Sequence, residues 1–160
     1  MFNQNEPTGV LVIYTGGTIG SFPKDKKDPN SPLVPLTKEQ LSKKSDNEFF
    51  NMIPRYDYIE KKLTIGNLSV RVEWQSLEIP IDSSNVSPDV WKEIINIIKT
   101  EYNNFEGFVI LHGTDTMVYT ASVLSFMIDN LNKPIIITGS QKPIGDTRRD
   151  AVQNLITSID

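Results

Sequence analysis

Two stretches of this sequence set threonine hydroxyls beside glycine at the end of an apolar run. They are Thr15-Gly16-Gly17-Thr18-Ile19-Gly20 and His112-Gly113-Thr114-Asp115-Thr116-Met117. Hydroxyls with a carboxylate suit nucleophilic attack on an amide, giving an acyl-enzyme that water then hydrolyses. A threonine hydroxyl is a poor nucleophile at neutral pH, so it needs a base within hydrogen-bond reach and donors for the developing oxyanion. Thr15 and Thr114 are the candidate catalytic hydroxyls, Asp115 can orient or hold a proton carrier, and the amides at Gly16 and Gly113 can serve as donors. Each stretch also has a plainer reading. The first is a glycine turn after a strand, and in the second Thr114 or Asp115 is of the type that caps a helix.

Asp82-Ser83-Ser84-Asn85 offers amides and hydroxyls suited to an α-carboxylate or α-amino group, and equally an Asx turn. His112, just before Gly113, reads as a packed, hydrogen-bonded residue rather than a base. Lys142 reads as a solvated loop lysine. A nucleotide loop is excluded on detail, since GxGxxG would need glycine at position 15 and no GK[ST] follows.

Composition narrows the chemistry further. There is no cysteine, hence no thiolate nucleophile or disulfide, and a single histidine makes a zinc site improbable. No metal site and no cofactor are expected. The net charge of −4 over 160 residues, with no aromatic-interleaved basic cluster, argues against nucleic acid as a partner. The start, MFNQNEPTG, lacks the n-region and h-region of a leader, and no apolar run is long enough for a membrane span. A soluble, cytoplasmic protein without a membrane partner is expected.

The elements that must position these residues follow from pattern. Val10 to Tyr14 reads as a buried central strand. Ser21 to Pro35 is too long and polar for a simple connection and reads as a mobile loop, a candidate lid. Thr37 opens a helix running to Ile53, with Gln40 at the capping-box position and Pro54 as the stop. Leu63 to Ile79 favours strands, with Val70, Val72 and Trp74 alternating against Arg71 and Glu73. A helix follows Ser87 and Pro88, with Val90, Trp91, Ile94, Ile95, Ile98 and Tyr102 on one face. Then come a strand at Phe108 to Leu111, a helix at Thr116 to Leu131, a strand at Pro134 to Thr138 and an amphipathic helix from Arg149.

This alternation predicts an α/β fold, an open, doubly wound, mostly parallel sheet flanked by helices as one domain over residues 1–160. Ligands in such sheets bind outside the carboxyl ends of the strands. Three loops are expected there, Thr15 to Gly20, Ile81 to Asn85 and His112 to Thr116, with Gly139 to Arg149 as a fourth.

The pair TGGTI and HGTDTM, roughly a hundred residues apart, resembles the paired signature of bacterial L-asparaginases. The block GFVILHGTDTMVYTASVLSFMIDNLNKPIIITGSQKP looks most like the cytoplasmic type I enzymes, and the three-layer, Rossmann-like amino-terminal domain of that family is the fold implied. The resemblance implies hydrolysis of L-asparagine, with L-glutamine as a second candidate substrate, without a cofactor and in a homo-oligomer, dimer or tetramer. It makes Thr15 the nucleophile of the first loop and puts Thr114 and Asp115 in the second catalytic group. It assigns Ser83, Ser84, Thr114 and Asp115 to substrate binding. Family members are roughly twice as long, with a smaller carboxy-terminal domain, so an incomplete catalytic domain of little activity by itself is expected. The family's catalytic lysine is expected beyond Asp160, and Lys142 in GSQKP matches a different segment. Leu33 stands where a loop tyrosine is often found. An amidase subunit of a tRNA-dependent amidotransferase and a non-catalytic amino-acid-binding module remain as alternatives.

Overall fold

The computed structural model describes residues 9–28, 30–43, 47–147 and 150–160. Gly9–Gly16 forms strand β1, buried along its whole length. Because side chains alternate across a strand, Val10, Val12 and Tyr14 enter one apolar cluster while Leu11 and Ile13 enter another. Such a strand is covered on both faces, which is why it reads as a continuous apolar run.

The chain then forms two short strands, β2 (Ser21–Pro23) and β3 (Leu33–Pro35), paired antiparallel. The helical segments α1 (Lys38–Ser42) and α2 (Glu48–Asn51) lead to β4 (Tyr56–Asp57), β5 (Lys62–Ile65) and the long β6 (Leu68–Ile81). Three βα units complete the described chain, with α3 (Pro88–Glu101), β7 (Gly107–Leu111), α4 (Met117–Met127), β8 (Ile135–Thr138) and α5 (Asp150–Ile159).

The main sheet has the order β4-β5-β6-β1-β7-β8. β1 pairs parallel with β6 and β7, and β7 pairs parallel with β8, while β4 and β5 extend the sheet as antiparallel strands. Ile94, Ile95, Ile97 and Ile98 of α3 and Leu124 of α4 cover one face. Ala151, Leu155 and Ile159 of α5 cover the other, together with Leu41 of α1 and Phe49 and Phe50 of α2. This is the doubly wound, mostly parallel sheet expected, with β1 at its centre. The chain steps from β1 to β6 on one side and then through α3 to β7 on the other, so the strand order reverses at the carboxyl end of β1, where a crevice opens in such sheets.

Several local expectations are corrected. The single helix expected from Thr37 to Ile53 is two short segments, with residues 44–46 outside the described set. The capping box is present, Thr37 Oγ1 accepting from Gln40 N and Gln40 Oε1 from Thr37 N, but Asn47 caps a new start by accepting from Phe49 N. A fresh cap supplies acceptors that a continuous helix would not need. α4 stops at Met127 rather than Leu131, and Asn130 lies at φ 56°. Ser87 precedes α3 without a side-chain cap bond. Arg149, expected to open the last helix, lies outside the described residues. No described helix is long and apolar enough to cross a membrane.

Candidate active site

The four loops expected at the carboxyl ends of the parallel strands meet. Gly17 N donates to Ile81 O at 3.1 Å, joining the loop after β1 to the end of β6. Gly17 lies at φ 77°, and a Cβ there would sit 2.5 Å from Gly113 N, so the first and third loops touch backbone to backbone. A Cβ on Gly113 would sit 2.4 Å from Ser83 Oγ, bringing in the second loop. His112 N donates to Thr138 O at 2.8 Å and ties in β8, which leads to the fourth. Thus Gly113 is glycine because Ser83 crowds its Cα, and Gly17 is glycine because the His112–Gly113 backbone crowds its own.

Thr15 is buried, and its hydroxyl donates to Leu111 O at 2.9 Å across the β1–β7 pair. A carbonyl cannot take a proton, so in this state the hydroxyl is placed but not activated. Gly16, at φ 115°, pairs with Ile81 past an irregularity in the β1–β6 register. Thr114 is half-buried and Asp115 exposed, at the outer rim of the third loop. Neither caps α4, because Thr116 holds the N-cap position and Met117 begins the helix. The capping reading of Thr114 and Asp115 therefore does not apply.

Ser83 is buried and opens a 3₁₀ turn, Ser83–Asn85. Asp82 Oδ1 accepts from both the amide and the hydroxyl of the exposed Ser84, at 2.9 Å each. Those two donors hold the Asp82 carboxyl below the usual aspartate range. The Asx-turn reading of this loop is therefore present in the structure alongside the exposure of the Ser84 side chain. Thr116 Oγ1 donates to Ser83 O at 2.7 Å, welding the second loop to the third. Sequence reading found Thr116 only as part of the motif, because its partner lies thirty-three residues away.

His112 is a packed residue, as its position before Gly113 predicts, at 1% exposure. Nδ1 lies 2.7 Å from Gly113 O, and Nε2 lies 2.9 Å from Thr120 Oγ1. Burial pushes its ionisation below the ordinary histidine range, opposed in part by the Gly113 carbonyl, so the ring is neutral near pH 7.

The segment from Ser21 to Pro35, expected as a loop, begins and ends in paired antiparallel strands that form a hairpin arm. Tyr14 Oη, one residue before Thr15, donates to Gly20 O at 3.0 Å and accepts from Leu36 N at 3.1 Å, clasping both ends of the arm. The arm, the end of α2 and the loop after β8 border an open cleft of about 510 Å³ whose lining includes Phe22, Leu33, Met52, Lys142 and Asp146. Lys142 pairs with Asp146 at 3.7 Å on the surface, in keeping with a solvated loop lysine. Asp150 Oδ2 accepts from Gln141 N at 2.7 Å, fixing that loop to the start of α5.

Residues 9–160 match the family model described as "Asparaginase, N-terminal". The chain is 37% identical to L-asparaginase 1 of Escherichia coli K12, over 94% of its own length and 39% of that protein's. It is 47% identical to a glutamyl-tRNA(Gln) amidotransferase subunit of Methanosphaera stadtmanae, over 98% of its length and 41% of the relative's. The solved structure of L-asparaginase I from Vibrio cholerae superposes with a TM-score of 0.69 at 36% identity, covering 96% of this chain and 40% of that one. The chain thus spans about 40% of the length of these relatives. With the parallel sheet, the converging threonine loops and the match from residue 9 to 160 in agreement, the chain belongs to the asparaginase family, where it corresponds to the amino-terminal region.

Proposed function

We propose that this chain carries the substrate crevice of a cytoplasmic L-asparaginase, an amidohydrolase that converts L-asparagine to L-aspartate and ammonia. The observation that carries the reading is the meeting at Gly113 of the three loops that carry Thr15, Ser83 and Thr114. A threonine Oγ attacks the side-chain amide carbon of asparagine. The carbonyl oxygen becomes an oxyanion, and backbone amides at the glycine-rich turns, Gly16 and Gly113 among them, are its donors. Ammonia leaves with a proton, and water then cleaves the aspartyl ester. The buried, paired state of the Thr15 hydroxyl supports a preset position for it, and the partial exposure of Thr114 and the exposure of Asp115 support their meeting substrate directly. Ser83 and Ser84, with Thr114 and Asp115, hold the α-carboxylate and α-amino groups. The crevice takes a small amino acid, L-asparagine or L-glutamine, and no metal or cofactor enters the chemistry.

Both His112 nitrogens are engaged by Gly113 and Thr120, so the proton carrier comes from elsewhere. The family's lysine, beyond Asp160, is the proposed carrier, and residues 1–160 alone then have little activity. A homo-oligomer completes the proposal. Ammonia release from asparagine by the full-length protein, abolished in Thr15→Ala and Thr114→Ala variants that still fold, is the expected result. Unchanged turnover in both variants would overturn it.

The likeness to an amidotransferase component favours a second reading, an amidase acting with a partner on charged tRNA. Amide hydrolysis that appears only when such a partner and tRNA are added would select it. Tight aspartate binding by calorimetry without any turnover would instead select a binding module.

A further inference from the structure

Gly113 occupies an awkward mechanical position. Its Cα must be bare because Ser83 Oγ crowds it, yet glycine stiffens its own peptide less than any other residue. The peptide joining Gly113 to Thr114 therefore needs an external hold if its N–H is to keep one direction. That hold is visible one residue earlier.

Gly113 O lies 2.7 Å from His112 Nδ1. A carbonyl oxygen only accepts, so Nδ1 carries the proton, and in the neutral ring Nε2 is bare. Thr120 Oγ1, fully buried in α4, lies 2.9 Å from Nε2 and donates to it. Its lone pairs in turn face the indole of Trp91 in α3, whose Nε1 donates at 3.0 Å. An indole can only donate and a carbonyl can only accept, so the direction of every bond between them is fixed. The line runs Trp91 to Thr120 to His112 to Gly113 O and leaves the ring one tautomer and one orientation.

We infer that His112 is a positioning residue whose imidazole, held by Thr120 and Trp91, sets the Gly113–Thr114 peptide plane so that the Thr114 amide faces the reacting carbonyl. The peptide is trans and planar, so its N–H points opposite to its C=O. With the carbonyl drawn to the buried ring, the Thr114 N–H is turned away from it, toward the half-buried and exposed rim of Thr114 and Asp115. A preset donor of this kind needs no reorganisation when charge develops. The inference rests on the asparaginase reading for the identity of the reaction, and on the hydrogen-bond line alone for the tautomer.

The test takes the full-length protein with Thr120→Val, close in shape and without the hydroxyl, Thr120→Ser, which restores it, and His112→Ala. Outright loss of an oxyanion donor lowers kcat by roughly 10²–10³-fold, so loosening one is expected to lower kcat about tenfold or more. KM should stay within about twofold in folded Thr120→Val, and Thr120→Ser should recover most of the rate. A folded Thr120→Val protein with unchanged kcat, or one in which only KM rises, overturns the role. Independently, the ring nitrogen shifts of His112 should report the neutral, Nδ1-protonated tautomer, and an Nε2-protonated ring breaks the line whatever the turnover. If the unaltered protein releases no ammonia from asparagine, the reaction assignment and the oxyanion role both fall, while the ring shifts still decide the hydrogen-bond line.

Discussion

Thr116 Oγ1 donates to Ser83 O at 2.7 Å and links the loop that follows β6 to the loop that follows β7. The bond joins the segment proposed to hold the amino acid's α-groups to the segment proposed to act on its amide. Replacing Thr116 by Val keeps the shape and removes the donor. A hydrogen bond of this kind contributes about 1 kcal/mol, so aspartate affinity is expected to fall about fivefold with little change in the fold. Calorimetry against aspartate on the full-length protein measures it, and unaltered affinity would show that the two loops hold their relation without the bond.

Gly113→Ala drives a Cβ to within 2.4 Å of Ser83 Oγ. Since Ser83 is buried, the loops must separate rather than a side chain swing aside. Overpacking costs about 1–3 kcal/mol, so the melting temperature should drop by several degrees and aspartate binding should be lost. A variant that melts and binds like the unaltered protein would contradict the close approach.

The clasp at the foot of the hairpin arm gives a different kind of outcome. Tyr14→Phe removes the hydroxyl that bridges Gly20 O and Leu36 N, leaving those groups with their own mutual bond, Leu36 N to Gly20 O at 3.0 Å. Loss of about 1–2 kcal/mol is expected, with faster amide exchange confined to residues 21–36. Exchange that speeds up equally in β7 and α5 would mean that the hydroxyl serves the whole fold.

Acid should act through His112. Its folded ionisation lies below its ordinary 6.5, so the unfolded chain takes up a proton first as pH falls. The stability is present above about pH 6.5 and is lost as pH drops through the folded value, at up to about 1.4 kcal/mol per pH unit. Denaturant unfolding of the unaltered protein and His112→Gln between pH 7 and lower values checks this. The variant's stability should fall less steeply, and parallel curves would rule the histidine out as the source.

Much of the fold could be read directly because it depends on local composition. Val10 to Tyr14 announces a strand covered on both faces, and the Ser87-Pro88 start with isoleucines at helical spacing announces α3. Helix capping was legible at Thr37 and Gln40, yet not the break before Asn47, since both segments have helical patterning and only the tertiary wrap of Phe49 and Phe50 against Trp74 sets where the second begins. The Ser21 to Pro35 segment looked irregular because its strands are only three residues each, too short for alternation to register.

The candidate site divides in the same way. Residue type and spacing alone determined that Thr15, Thr114 and Asp115 stand at strand ends, and that Ser83 and Ser84 stand in a turn, because a βα alternation places its loops at one edge of a parallel sheet. Which hydroxyl is buried against Leu111, which threonine ties Ser83, and which ring fixes the Gly113 carbonyl were decided only when the strands paired. Hydrogen bonds act over about 3 Å, and the partners Thr15 and Leu111 lie ninety-six positions apart in the chain. No local pattern carries that information, since it exists only once the sheet has set the two strands side by side.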